Sequence, residues 1–187
     1  MKTPQMELSF DPRPRPKVLC MSPRRDDIPE LFSEALDADA TIAEDLYRTI
    51  LAAQPDHVGA AINLGTILFS RNEFDEAERL YRLATIVDPH YALASFNLGN
   101  VLYELHRRED AIAAYSRAIA IAPRYADAHY NLALAYESAG RPRVALRHWQ
   151  EYVRLDPAGK PWVGHAWARV KCILAADPLS IVKGGRA

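Results

Sequence analysis

Cysteine is scarce in this chain. Only Cys20 and Cys172 occur among 187 residues, 152 positions apart. That spacing suits neither a metal ligand set nor a disulfide framework, so a reducing compartment is expected. An excess of either charge is also missing. The 23 Lys+Arg and 24 Asp+Glu leave a net charge of −1, which excludes a general binder of polyanions such as nucleic acid. No apolar run reaches the roughly 18 residues of a membrane-spanning helix. The stretch from Met1 to Phe10 lacks the apolar core of a signal peptide. Glycine is sparse, with eight residues, and Gly184 and Gly185 fall near the end. Strand-like alternation is absent, because Leu8-Ser9-Phe10 and Lys17-Val18-Leu19 are too short to build a sheet. The expected product is an all-α cytoplasmic chain with no direct contact to nucleic acid or membrane.

Catalytic signatures are missing as well. The sequence holds no H-E-x-x-H, G-x-S-x-G, G-x-x-x-x-G-K or G-x-G-x-x-G. Its six histidines scatter: His57 and His90 at connections, His106 in a turn, His129 in place of a packing residue, and His148 and His165 without a partner at metal spacing. No enzyme activity, cofactor or metal is expected.

Proline is plentiful by contrast, and its placement organises the chain. Six of 13 prolines fall within residues 1–29, including Pro12-Arg13-Pro14-Arg15-Pro16. Each one removes a backbone donor and pushes its predecessor toward extended geometry. Residues 1–29 read as a linker or tail, serving either as a spacer or as a docking peptide. Beyond it Pro55, Pro89, Pro123 and Pro157 recur every 34 residues. Ala43, Ala77, Ala111 and Ala145 keep that period, as do Tyr47, Tyr81, Tyr115 and Trp149, and Leu64, Leu98 and Leu132. Segments 58–91, 92–125 and 126–159 align without a gap.

Each segment reads as two helices. The first is expected over Val58–Ser70, Ala92–Glu104 and Ala126–Ser138, and the second over Asp75–Val87, Glu109–Ile121 and Arg143–Leu155. Asn72, His106 and Gly140 share the turn column between them, where a left-handed residue ends a helix. The alanine column lets helices approach, the leucines fill the space between them, and the aromatic column is expected to pack on the next segment. One hairpin cannot cover its own apolar face, so neighbours must stack. Residues 30–57 read as a degenerate cap with seven acids and one base. Residues 160–176 read as a capping helix, with Val163, Trp167, Val170 and Leu174 on its apolar stripe and Cys172 as a small filler. Residues 177–187 read as a tail.

These columns, with N-L-G-T-I-L at 63–68, N-L-G-N-V-L at 97–102 and N-L-A-L-A-Y at 131–136, resemble the tetratricopeptide repeat (TPR) family. The resemblance implies an α-solenoid, a right-handed superhelix of helix-turn-helix hairpins, acting as a protein-interaction module without enzymatic activity. More weakly, the chain is similar to the TPR tails of some bacterial MerR-type regulators. In that case it would act through a separate DNA-binding partner or an upstream segment.

Stacked repeats would line Asn63, Asn97 and Asn131 along the concave side. An asparagine amide offers a donor and an acceptor, which matches a peptide bond without reading its side chain. The alternative role for this column is helix-turn packing. Ile62, Phe96 and Tyr130 precede the column by one residue, and Thr66, Asn100, Phe69 and Tyr103 continue the same face. Together these ten residues form the candidate groove for an extended peptide or partner segment. Some family members clamp a C-terminal carboxylate with Lys and Arg. Here the corresponding third-repeat column is Asp127 and the repeats contain no Lys, so such a clamp is not expected. Trp162 and Trp167 leave self-association open.

Overall fold

The structure is a computed structural model that describes residues 23–155 and 162–176. Most of the linker expected over 1–29, the connection 156–161 and the tail over 177–187 lie outside the described residues, as do Pro157 and Cys20. Among the described residues a 3-10 turn, Arg25–Asp27, leads into nine α-helices. They are α1 (Ile28–Asp37), α2 (Ala40–Ala53), α3 (Val58–Ser70), α4 (Phe74–Val87), α5 (Ala92–Glu104), α6 (Arg108–Ile121), α7 (Ala126–Ser138), α8 (Pro142–Leu155) and α9 (Trp162–Ala176). No strand forms among these residues.

Helix ends follow from local chemistry. Asp39 caps α2 by accepting the Thr41 and Ile42 amides at 3.0 and 3.2 Å. His57 caps α3 by accepting the Ala60 amide on Nδ1 at 3.0 Å. The three turn residues adopt positive φ: 64° at Asn72, 59° at His106 and 73° at Gly140. The amide that follows each one returns to a carbonyl five residues back. Glu73 reaches Leu68, Arg107 reaches Leu102 and Arg141 reaches Tyr136, at 2.9, 2.9 and 2.8 Å. This left-handed cap satisfies carbonyls that the helix end would leave bare. The second helices begin one residue earlier than the sequence suggests, at Phe74, Arg108 and Pro142.

The helices pair as α1/α2, α3/α4, α5/α6 and α7/α8, each hairpin packs on the next, and α9 closes on α8. Contacts between α3 and α5, and between α5 and α7, place the first helices of successive hairpins side by side. Ala77, Ala111 and Ala145 are fully buried, as the close-approach column requires. The aromatic column behaves differently from expectation. Tyr81 and Tyr115 lie first against their own hairpin, over Gly65 and Gly99, where an added Cβ would meet the ring at 2.7 and 2.5 Å. The ring occupies the volume a side chain would need, which fixes glycine at both positions.

Arginine–glutamate pairs bridge each joint: Arg71 to Glu44, Arg107 to Glu78 at 2.8 Å, Arg141 to Glu109 at 2.8 Å and Arg169 to Glu137. These arginines are exposed to similar degrees, so each pair contributes below about 1 kcal/mol. Packing therefore holds the array, and the pairs set register.

The capping helix follows its expected stripe only in part: Val170 is buried and Val163 packs against the same core. Its buried stripe is Ala166, Val170 and Ile173, whereas Trp167 is 50% and Leu174 is 39% exposed. Small Ala166 permits close contact, and Arg169 must face Glu137, which turns α9 away from the heavier apolar side. Cys172 is exposed rather than a core filler.

Candidate peptide groove

The first helices α3, α5 and α7 position the groove candidates. Asn63 Nδ2 donates to the Tyr47 hydroxyl at 3.1 Å, so this amide ties the cap to the first hairpin. Thr66 Oγ1 lies 2.9 Å from the Ile62 carbonyl and 3.2 Å from the Tyr81 hydroxyl. The threonine hydrogen goes to the carbonyl, which leaves Tyr81 as donor to Thr66. Asn97 is half-buried and makes no side-chain hydrogen bond among the described residues. Phe96 is half-buried between the rings of Tyr115 and Tyr125, at centroid distances of 5.9 and 4.9 Å.

Two candidates are engaged by other parts of the fold. Ile62 is 4% exposed and belongs to the core. Its position falls on the flank that faces the paired helix, so its side chain packs inward. Tyr130 is half-buried and packs where α8 and α9 meet. Its ring meets Trp149, Tyr152 and Trp162 at 4.9, 5.0 and 6.0 Å, and its hydroxyl lies 3.0 Å from His165 Nδ1. The added helix covers the place that an uncapped repeat would expose.

The other candidates converge. Phe69, Asn100, Tyr103 and Asn131 line one cleft of about 260 Å³. Glu104, Tyr115 and Leu134 complete it, and sequence reasoning did not select these three. The aromatic column gives Tyr115 to packing alone, and Leu134 occupies the column of Thr66 and Asn100. A signal for Glu104 did exist, because Ser70 and Ser138 stand at its column.

A small network spans the cleft floor. Asn100 Oδ1 accepts from the Tyr115 hydroxyl at 2.9 Å and from Asn131 Nδ2 at 2.8 Å. Burial pushes the Tyr115 phenol well above its ordinary range. The nearby Asn131 amide opposes that rise, and Tyr103 and Glu104 add to it. Tyr115 therefore remains a donor, which fixes the polarity of the network. Asn100 Nδ2 and Asn131 Oδ1 have no other hydrogen bond among the described residues. A donor and an acceptor are thus presented together, as an extended backbone requires.

The described histidines do not form a metal set, and no group of three His, Cys, Asp or Glu among the described residues can hold an ion. His129 and His148, 6% and 8% exposed, face each other with Nδ1 atoms 3.1 Å apart. His129 Nε2 meets the Pro123 carbonyl at 3.1 Å, and His148 Nε2 accepts from Arg147 Nε at 3.0 Å. A carbonyl only accepts, so His129 carries its proton on Nε2. His148 then donates from Nδ1. Both rings are neutral in this arrangement, and all four nitrogens are used.

Helix hairpins stacked in one direction, with a concave side built from their first helices, define an α-solenoid of short repeats. The sequence agrees at the level of family. Tetratricopeptide repeat models match residues 36–95 and 126–158, and a TPR repeat model matches 107–140. Together they span more than half of the chain, which belongs to the tetratricopeptide repeat family. No functionally curated protein matches the sequence significantly. Solved structures do. A crystal structure of MamA is 25% identical, covers 80% of this chain and 85% of its own, and superposes with a TM-score of 0.69. YrrB, described as a TPR protein with an unusual peptide-binding site, shares the fold at 18% identity and a TM-score of 0.65, with 79% and 73% of the two chains covered. An O-GlcNAc transferase of Thermobaculum terrenum matches at 27% identity and a TM-score of 0.64 over 69% of this chain, which spans only 26% of that one. The chain therefore has the fold of a protein-interaction module. No described helix is long and apolar enough to cross a membrane.

Proposed function

We propose that this chain is a non-enzymatic adaptor that holds an extended segment of a partner protein in its concave groove. The observation that supports the reading best is the network across the cleft floor. There the amides of adjacent hairpins meet at Asn100 and Asn131 beside Phe69 and Tyr103. Apolar walls favour desolvated side chains, and the two amides favour a backbone. A peptide-binding site in the similar protein YrrB agrees with this use of the fold. The histidine pair does not suggest catalysis, since it is buried and uses its nitrogens internally.

Alanine at Asn63, Asn97 and Asn131 together is expected to retain the helical circular dichroism signal. Its affinity for a captured peptide should fall about two- to tenfold, chiefly through Asn131, the one of the three that lines the cleft, since an amide hydrogen bond contributes about 0.5–1.5 kcal/mol. Fluorescence anisotropy with a labelled peptide selected on the wild-type chain reads the change. Unaltered affinity in the triple variant would remove the groove assignment.

A further inference from the structure

We infer that the cleft selects a peptide bearing a cationic side chain, arginine or lysine, and that Glu104 reads the charge. The inference rests on the groove reading above and adds to it the chemistry of the occupant.

The starting point is a break in the repeat. Ser70 ends α3 and donates its hydroxyl to the Ile67 carbonyl at 2.7 Å. Ser138 ends α7 and donates likewise to Ala135 at 2.9 Å. Both hydroxyls quiet a helix C-terminus that would otherwise expose a bare carbonyl. In the middle hairpin the same column holds Glu104, the last residue of α5. A carboxylate cannot donate there, and its negative charge meets the negative end of the helix dipole. Stability alone favours serine at this position, as the two neighbouring repeats illustrate.

Glu104 is also unmatched. Glu44, Glu78, Glu109 and Glu137 each pair with an arginine of the next element. Glu104 is exposed and makes no ion pair among the described residues. Arg107, three residues on, pairs with Glu78 and Asp110, and the exposed Arg108, four residues on, makes no ion pair with Glu104 among the described residues. Among the residues that line the cleft, Glu104 alone carries a formal charge.

Its neighbours suit a long cationic side chain. Phe69, Tyr103 and Leu134 offer an apolar path for the methylene stem, and the aromatic faces attract a cation. Asn100 Nδ2 and Asn131 Oδ1 are left to hold the peptide backbone beside it. A ligand carboxylate would face Glu104 at close range with no basic residue in the cleft lining, so an acidic peptide end is the occupant this site rejects.

The test is selection from a phage-displayed library of random dodecapeptides on three full-length proteins: wild type, Glu104→Ser and Glu104→Lys. Serine restores the pattern of the other repeats, and lysine suits a helix C-terminus, so neither variant should lose the fold. Peptides selected on wild type should share one Arg or Lys position flanked by apolar residues. Glu104→Ser should weaken them about three- to tenfold, the range of a partly exposed charge pair. Glu104→Lys should select Asp or Glu at that position instead. Wild-type peptides without a shared basic position, or a basic position that Glu104→Lys still selects, would overturn the inference. In that case the groove reading survives if the peptides lose affinity for the Asn63/Asn97/Asn131 triple variant. If no peptide is enriched on wild type, both readings fall.

Discussion

Trp149→Ala is expected to unfold the third hairpin and α9 ahead of the rest of the array. Trp149 is fully buried and forms the centre of a second core cluster with Ala133, Ala145, Tyr152, Ala166, Val170 and Ile173. That cluster is separate from the long one running from Ile28 to Ala135. Removing the indole leaves a large void, and the cost of such truncations is about 3–5 kcal/mol. It also removes the Nε1 hydrogen bond to Glu137 Oε1 at 2.6 Å, and Glu137 is the residue that holds Arg169 of α9. The edge contact to Tyr130 at 4.9 Å disappears with it. Because repeat arrays gain stability from nearest neighbours, the loss should stay local. Hydrogen exchange should show α8 and α9 losing protection while α2 to α5 keep theirs, and urea unfolding should gain an early step. A single transition in which all helices weaken together would show that the two clusters are one cooperative unit.

The same division explains what the sequence made legible. A 34-residue period is a statement about neighbours of like shape, so the helices of the three full hairpins could be read closely. The turn residues Asn72, His106 and Gly140 gave the helix ends because positive φ is a local property. The C-terminal region has no neighbour of like shape, and periodicity therefore says nothing about its packing. The stripe Val163, Trp167, Val170 and Leu174 is apolar by composition. The Arg169–Glu137 pair and the small Ala166 rotate the buried face so that Val163 and Val170 stay on it while Trp167 and Leu174 leave it. Tyr130 looked like a groove residue because its column equivalents Ile62 and Phe96 share its position, but only Tyr130 has α9 above it. Each of the three meets different surroundings: core for Ile62, two tyrosine rings for Phe96, and a covering helix for Tyr130. The cleft itself was half legible. Asn100, Asn131, Phe69 and Tyr103 follow from the column argument. Glu104 does not, since it departs from its column.

Acidification from pH 7.5 to 5 is expected to destabilise the third hairpin through His148. Burial first, then the charge of Arg147 and the His129 ring, lowers the His148 pKa to about 4, with Glu151 opposing. The geometry gives the reason. His148 Nε2 faces the Arg147 N–H and its Nδ1–H already points at His129. A second proton would set one N–H against another, and Tyr136, stacked at 5.7 Å, offers no charge to compensate. The unfolded imidazole titrates near its ordinary value of about 6.5. Between that value and about 4 the unfolded chain binds more protons than the folded one. Stability is therefore fully present above pH 6.5 and is lost as pH falls toward 4, by roughly 2 kcal/mol at pH 5. Paired carboxylates do not confuse this window. Hydrogen bonds from arginine lower the Glu44 and Glu151 pKa values, so their contributions are lost only at still lower pH. His148→Gln supplies the needed control, since a glutamine amide can donate toward His129 and accept from Arg147 without titrating. Urea midpoints should fall between pH 7.5 and 5 in the wild type and change little in the variant. An equal fall in both proteins would place the acid sensitivity outside the histidine pair.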